Sequence, residues 1–191
     1  MKLDIILAGV GGQGILTIAT VIGEAALAEG LDIKQAEVHG MSQRGGDVHS
    51  GLRISDGTIW SDLIGRGMAD AVISLDPMEA LRYLPWLKPD GWIAANSAPF
   101  KNIPNYPDEQ ALLDELRRRH GTVMVDADAV AREAGASRSS NIALLGAASV
   151  RLGLPYGQLE EGVRRVFAHK GAAVVEANLR AMNAGKNGAH I

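Results

Sequence analysis

Apolar residues run almost unbroken from Leu3 to Ala8, with Asp4 the one polar interruption, and after a group of glycines Ile15, Leu16, Ile18, Ala19, Ile22, Ala25 and Ala26 recur at helical spacing. A continuous apolar run marks a strand buried on both faces, so this segment predicts strand, tight turn and helix. Glu29-Gly30 closes the helix, with glycine supplying the left-handed conformation that helix ends use. A second strand is predicted near Ile33 to Val38.

His39 to Arg53 is polar and rich in glycine, and beyond it Gly51–Ile54, the Ser55-Asp56-Gly57 turn and Thr58–Ser61 predict a hairpin. Ala71–Leu75, Trp92–Asn96 and Thr122–Asp126 repeat the buried-strand pattern, and Asp76-Pro77 suits a helix start with proline in the first turn. Pro99 to Pro107 carries three prolines and reads as a surface loop. After Asp126 the pattern turns helical over 127–134, 141–152, 155–168 and 172–184, with breaks at Gly135, Gly153 and Gly171. Alternating strands and helices imply an α/β fold, an open, mostly parallel sheet (Rossmann-like) with a C-terminal helical layer. Residues 1–184 are expected to form one domain and 185–191 a flexible tail.

Composition narrows the chemistry. The 191 residues contain no cysteine, which removes disulfides, thiolate nucleophiles and cysteine-ligated iron–sulfur clusters together. Acidic and basic residues, 22 and 19, are mixed along the chain for a formal charge of -3, so no basic footprint for nucleic acid or anionic lipid exists. No apolar stretch approaches the roughly 18 to 20 residues of a membrane span, and a cytoplasmic protein is expected.

Two stretches carry candidate chemistry. Gly9-Val10-Gly11-Gly12-Gln13-Gly14 fits G-x-G-x-x-G between a predicted strand and helix. There Gly9 permits the tight turn, Gly11 lets backbone N–H groups approach an anion, Gly14 allows close helix–strand contact, and the helix N-terminus adds partial positive charge. The same glycines can also reverse the chain without binding anything. A dinucleotide site would want an acid at the end of the second strand for the ribose, and Glu37 lies near that place. The second stretch is Glu37 to Arg53, in which Arg44, between Gln43 and Gly45-Gly46, could present its guanidinium fork to a phosphate or carboxylate. Its alternative is a solvated hairpin entry.

The remaining candidates read as structural. His39 and His49 lack a third ligand and helical spacing, which argues against a metal site. Ser42 has no nucleophile elbow around it. Asp76, Asp126 and Asp128 stand where carboxylates cap helices, and Ser139-Ser140-Asn141 looks like a helix start followed by Gly146 and small alanines that permit close packing. Trp60, Trp86 and Trp92 are expected in the core or at its rim.

Taken together, GVGGQG, HGMSQRGGDVHSGLR and NIALLGAASVRLGLPYGQLEEGVRRVF resemble, in order and over nearly the whole chain, the gamma-domain family of 2-oxoacid:ferredoxin oxidoreductases. The HGMSQRGG segment is most similar to the indolepyruvate ferredoxin oxidoreductase beta-subunit branch. The resemblance implies oxidative decarboxylation of a 2-oxoacid to an acyl-CoA with reduction of ferredoxin. It implies a partner, a large subunit carrying thiamine diphosphate, Mg and iron–sulfur clusters, with CoA as co-substrate and ferredoxin reached through the complex. It further implies that Gly9, Gly11, Gly12, Gln13 and Gly14 form one signature loop, and that His39, Gly40, Ser42, Gln43, Arg44, Gly45 and Gly46 form the second. On this reading the chain binds no cofactor alone and lines a cleft shared with the large subunit. A stand-alone NAD- or FAD-binding module remains the alternative.

Overall fold

The structure is a computed structural model that describes residues 1–39, 46–101 and 103–189, with His39 described by its backbone alone. Among the described residues six strands form one sheet: β1 (Lys2–Val10), β2 (Asp32–His39), β3 (Asp47–Ser55), β4 (Ala69–Ser74), β5 (Leu87–Asn96) and β6 (Thr122–Val125). Their order is β2-β3-β1-β4-β5-β6, with β3 antiparallel to both of its neighbours and the β1, β4, β5 and β6 contacts parallel. Seven α-helices accompany them among the described residues: α1 (Ile15–Ala28), α2 (Pro77–Arg82), α3 (Glu109–Arg117), α4 (Ala127–Glu133), α5 (Ser140–Ala148), α6 (Tyr156–Phe167) and α7 (Ala172–Asn187).

Helices cover both faces, which is why β1 is apolar at consecutive positions. Ile5 and Leu7 belong to the large core shared with α1, α5, α6 and α7, whereas Ile6 and Ala8 join Val72, Ile93, Tyr83 and Leu116 under α2 and α3. Asp4 interrupts the run and is 1% exposed. Its partner is Arg53, opposite it on β3, whose Nε and Nη2 donate to the two carboxylate oxygens at 2.8 and 3.1 Å. The same guanidinium donates to the carbonyls of Ser61 and Leu63, so the ion pair also fixes the connection leaving β3.

That connection departs from the expected hairpin. The 51–54 segment lies in β3, but Thr58–Ser61 is not a strand, and β3 pairs backward with β2 across residues 40–46. Ile59 N–H donates instead to the Asp32 carboxylate. The segment's residues therefore cross the sheet end, and Trp60, expected in or beside the core, is 90% exposed. Trp92 is buried as expected, and Trp86 lies beneath the Arg66 guanidinium.

Helix boundaries follow the local chemistry. Gly30, Gly135, Gly153 and Gly171 all adopt positive φ at the breaks. The helical segment expected to end at 184 continues to Asn187, and the glycine responsible, Gly185, is buried rather than frayed. A Cβ on Gly146 would lie 1.9 Å from the Met182 carbonyl oxygen, and one on Gly185 would lie 1.8 Å from that of Ala143. The α5–α7 crossing thus brings backbone against backbone, which only a glycine on each side permits.

Asp76 caps α2, accepting from the N–H groups of Met78 and Glu79 at 2.9 and 3.2 Å. It also accepts from Phe100 N–H and the Tyr106 hydroxyl, so one buried carboxylate secures a helix start and the proline-rich loop together. Asp76→Ala is expected to lower unfolding free energy by about 3 kcal/mol, because it removes a cap and deprives two further, partly buried donors of their acceptor. Tyr106→Phe should lose only about 1 kcal/mol. Urea midpoints at constant slope measure both, and equal losses would contradict the shared-anchor account.

Candidate functional site

The chain leaves β1 at Val10 and enters α1 at Ile15 through Gly11-Gly12-Gln13-Gly14. Gly12 and Gly14 have φ of 100° and 85°, in the left-handed region that penalises a side chain. Gly14 caps α1 without any side-chain bond, and its carbonyl accepts from Thr17 N–H and from the Asn141 side-chain amide at 3.1 Å. No acidic residue occupies the first turn of α1, so the positive end of its dipole is not offset by a local carboxylate.

Gln13 does work the spacing did not reveal. Its Oε1 accepts from Val10 N–H at 2.7 Å and its Nε2 donates to the Leu75 carbonyl at 3.1 Å, bridging the ends of the neighbouring strands β1 and β4. Connections from these two strands leave to opposite faces of the sheet, and such a reversal is where open α/β sheets leave a ligand crevice. Here an amide side chain fills it. Gly9 lies directly beneath, where a Cβ would meet Gln13 Oε1 at 2.9 Å. Gly11 is also engaged, its N–H donating to the Gly46 carbonyl at 2.9 Å.

Hollows among the described residues surround this loop. A cavity of about 610 Å³ is lined by Gly12, Gln13, Gly14 and Thr17 from the loop and α1, by Ser137, Arg138, Ser139 and Asn141 before and within α5, and by Lys170 and Asn178 near and on α7. Phe167, Val174 and Ala177 give it an apolar wall. A second, about 340 Å³, is apolar and lies between Val10, Ile15, Leu16 and Val48. A third, about 220 Å³, opens at the carboxyl ends of β4 and β5 between Asn96, Phe100, Asp128 and Ser140, with Arg138 and Gln13 on its wall. Two cations and a helix N-terminus around the 610 Å³ cavity suit an anionic group attached to a partly apolar body.

Several of these residues were legible only as structure. Asn141, expected at a helix start, also closes the glycine loop from a distance of 127 positions. Asp128, expected as a cap, accepts from Asn96 Nδ2 at 2.9 Å and Ser140 Oγ at 2.6 Å, and the capping role belongs to Asp126, which accepts from Ala129 N–H. Arg138 and Lys170 carried no motif.

The second signature is only partly in view. His39 ends β2 opposite Val48, and Gly46 meets Gly11. Gly40, Ser42, Gln43, Arg44 and Gly45 lie outside the described residues. Glu37 does not take a ribose-binding position: β3 stands between β2 and β1, placing it about 10 Å across the sheet from the strand carrying the glycine loop. Its carboxylate accepts from Gln35 Nε2 instead. The geometry that would support a stand-alone dinucleotide module is therefore missing.

Among the described residues, no group of three potential metal ligands from His, Asp or Glu comes together, and no helix is long and apolar enough to cross a membrane. Around Tyr83, which is 3% exposed, a polar cluster gathers under the start of β3. Its hydroxyl donates to Asp47 at 2.8 Å and lies 2.6 Å from His49 Nδ1, while Glu79 is paired with Arg82 at 2.7 Å. Burial, opposed by Arg82 and reinforced by Asp47, raises the Glu79 carboxyl to about 7. Burial lowers His49 against the pull of Asp47.

Comparison with known proteins agrees with this architecture. The chain is 36% identical to the indolepyruvate oxidoreductase subunit IorB of Archaeoglobus fulgidus over 198 residues, covering 98% of this chain and 95% of the relative. It is 35% identical to the protein of the same name from Thermococcus kodakarensis, with 95% and 93% covered. The gamma subunit of a keto/oxoacid ferredoxin oxidoreductase from Geobacter sulfurreducens shares the fold, with a TM-score of 0.74 at 24% identity over 98% of this chain and 96% of that one. A 2-oxoglutarate:ferredoxin oxidoreductase from Magnetococcus marinus matches with a TM-score of 0.76 at 23% identity, but this chain covers only 30% of that much longer polypeptide and 97% of itself. Residues 4–188 match the family described as pyruvate ferredoxin/flavodoxin oxidoreductase. A glycine loop closed by long-range contacts, a six-stranded sheet with one reversed strand and likeness along the whole length lead to one conclusion: the chain belongs to the pyruvate ferredoxin/flavodoxin oxidoreductase family.

Proposed function

We propose that this chain is the small subunit of an indolepyruvate (arylpyruvate) ferredoxin oxidoreductase, acting in the cytoplasm with a large partner subunit. The observation that carries the reading is its 36% identity to an indolepyruvate oxidoreductase subunit along 98% of its length. The donor chemistry agrees with a division of labour. A chain without cysteine has no thiolates for iron–sulfur clusters, so the clusters belong to the partner, together with thiamine diphosphate and Mg. When bound there, thiamine diphosphate supplies the carbanion chemistry of decarboxylation and the clusters pass electrons to ferredoxin.

This chain's own part is to bind and exclude water. The loop from Gly9 to Gly14 presents the α1 N-terminus to the 610 Å³ cavity, where Arg138 and Lys170 favour an anionic group such as a CoA phosphate. His39 to Gly46 forms the second contact, with Arg44 as the guanidinium that holds an anion of substrate or CoA. In the assembled enzyme Arg44→Ala is expected to reduce affinity or turnover about ten- to a hundredfold, and Arg44→Lys to recover part of it, since an ammonium keeps the charge but lacks the fork. Steady-state dependence on 2-oxoacid and CoA, measured separately, tests this. Wild-type constants in a fully assembled Arg44→Ala complex would exclude the anion contact.

A further inference from the structure

Helix α1 after Gly14 and helix α5 after Ser139 both begin beside the 610 Å³ cavity, and neither N-cap residue makes a side-chain capping bond. Asn141, the second residue of α5, joins the two starts. Its Nδ2 donates to the Gly14 carbonyl at 3.1 Å and its Oδ1 accepts from Ile142 N–H at 3.0 Å, so one neutral amide serves both helices. The approach depends on glycine, since a Cβ on Gly14 would lie 2.7 Å from Asn141 Nδ2.

The start of α5 is itself held in place. Ser140 Oγ, next to Asn141 in the chain, donates to one oxygen of Asp128 at 2.6 Å, and the other oxygen accepts from Asn96 Nδ2 at 2.9 Å. Asn96 ends β5, is 1% exposed and accepts from the N–H groups of Ala98 and Ala127 at 3.2 and 2.9 Å. Side-chain bonds therefore run from the carboxyl end of β5 through α4 and the start of α5 to the start of α1.

We infer that Asn141 is a positioning residue: anchored to β5 through Ser140 and Asp128, it fixes the glycine loop, and with it the α1 N-terminus, against the segment that carries Arg138. Gly12 and Gly14 lie in left-handed conformations, and the breadth of backbone space open to glycine leaves the loop other paths, so side-chain ties have to select one. Gln13 ties the loop to β1 and β4, and Asn141 ties it to the helical layer. Gln13, Arg138 and Asn141 each line both the 610 and the 220 Å³ cavities and so stand between them. Arg138 precedes Asn141 by three residues, and the bond that holds Gly14 thereby fixes the backbone carrying that guanidinium relative to the α1 N-terminus. The chemistry requires an amide. A carboxylate in its place would accept from Ile142 N–H but offer no proton to the Gly14 carbonyl, and its charge would offset the positive ends of α1 and α5.

The loop's geometry and its use for a ligand are read apart, because the second rests on the function proposed above. In the full chain assembled with its partner subunit, hydrogen exchange is followed at Thr17, whose N–H donates to the same Gly14 carbonyl, and KM and kcat are measured for CoA. Asn141→Ala is expected to speed exchange at Thr17 and to raise KM for CoA, each about tenfold, with kcat within about twofold of wild type, and Asn141→Asp to raise KM further. Ser140→Ala leaves the amide in place but frees it from Asp128, and should shift both readings in the same direction by less, which keeps the test open if the Asn141 variants do not fold. Arg138→Gln reads the cavity without touching the loop and should raise KM alone. Wild-type exchange at Thr17 in the variants, or a lowered melting temperature with wild-type exchange and KM, overturns the positioning role. So does a KM raised by Arg138→Gln but by neither Asn141 variant. Faster exchange in the Asn141 variants with KM unchanged in them and in Arg138→Gln upholds the hold on the loop and contradicts instead the placing of CoA in the 610 Å³ cavity.

Discussion

Gly146→Ala is expected to be among the most destabilising single-methyl substitutions in the molecule. The added carbon would sit 1.9 Å from the Met182 carbonyl oxygen and 3.0 Å from Lys186 N, and both contacts are backbone, which cannot step aside as a flexible side chain can. Overpacking against movable neighbours costs about 1 to 3 kcal/mol, so forcing α5 and α7 apart should exceed 3 kcal/mol and lower the melting temperature by roughly 10 °C. Gly185→Ala meets the same crossing from the other side, 1.8 Å from the Ala143 oxygen, and the two losses should fall short of adding in the double variant because the second methyl enters a gap the first has opened. Gly157→Ala supplies the contrast. It lies within α6 with open space where its methyl would go, and should stabilise by about 0.5 to 1 kcal/mol. Thermal unfolding of the three single variants and the double variant decides the matter, and a Gly146→Ala protein as stable as wild type would remove close backbone packing as the reason for glycine there.

The second large effect belongs to Gln13→Ala. It deletes the acceptor of Val10 N–H and the donor to Leu75 and opens the crevice between β1 and β4. An orphaned donor and acceptor together cost about 2 to 4 kcal/mol, less whatever water entering the crevice restores. Because the side chain is a brace, Gln13→Glu should also fail: a carboxylate accepts from Val10 but offers no proton to the Leu75 carbonyl. In the assembled enzyme both variants should raise KM for the ligand of the neighbouring cavity while the complex still forms. Equal stability of Gln13→Glu and wild type would show that the bond to Leu75 contributes nothing.

What the sequence made legible, and what it did not, divides along the range of the interaction. The turn at Gly9–Gly14, the cap at Asp76 and the breaks at Gly30, Gly135, Gly153 and Gly171 depend on local backbone requirements, so their residues announce them. Strand β3 was half seen. Ser55-Asp56-Gly57 has the residues of a tight turn, which favoured pairing with 58–61, whereas the register chosen pairs β3 with both β2 and β1 and buries Val48, Leu52 and Ile54. Arg53 reaching back to Asp4 fits that register and explains the lone charge in β1. The candidate site shows the same division. Asn141, Arg138 and Lys170 join the glycine loop only through the packing of α5 and α7, and no spacing within the chain foreshadows contacts so far apart.

On the function proposed above, this chain completes an enzyme whose redox and thiamine chemistry lie on another subunit, and reconstitution reads that out. The partner subunit, expressed alone and loaded with thiamine diphosphate, Mg and its iron–sulfur clusters, is assayed for ferredoxin reduction with indolepyruvate and CoA while this chain is titrated in. Activity should rise from near background to a plateau at a fixed stoichiometric ratio, with the iron remaining on the partner when the two are separated. Full activity of the partner alone, or oxidation of the 2-oxoacid by this chain alone with an artificial acceptor, would contradict the claim.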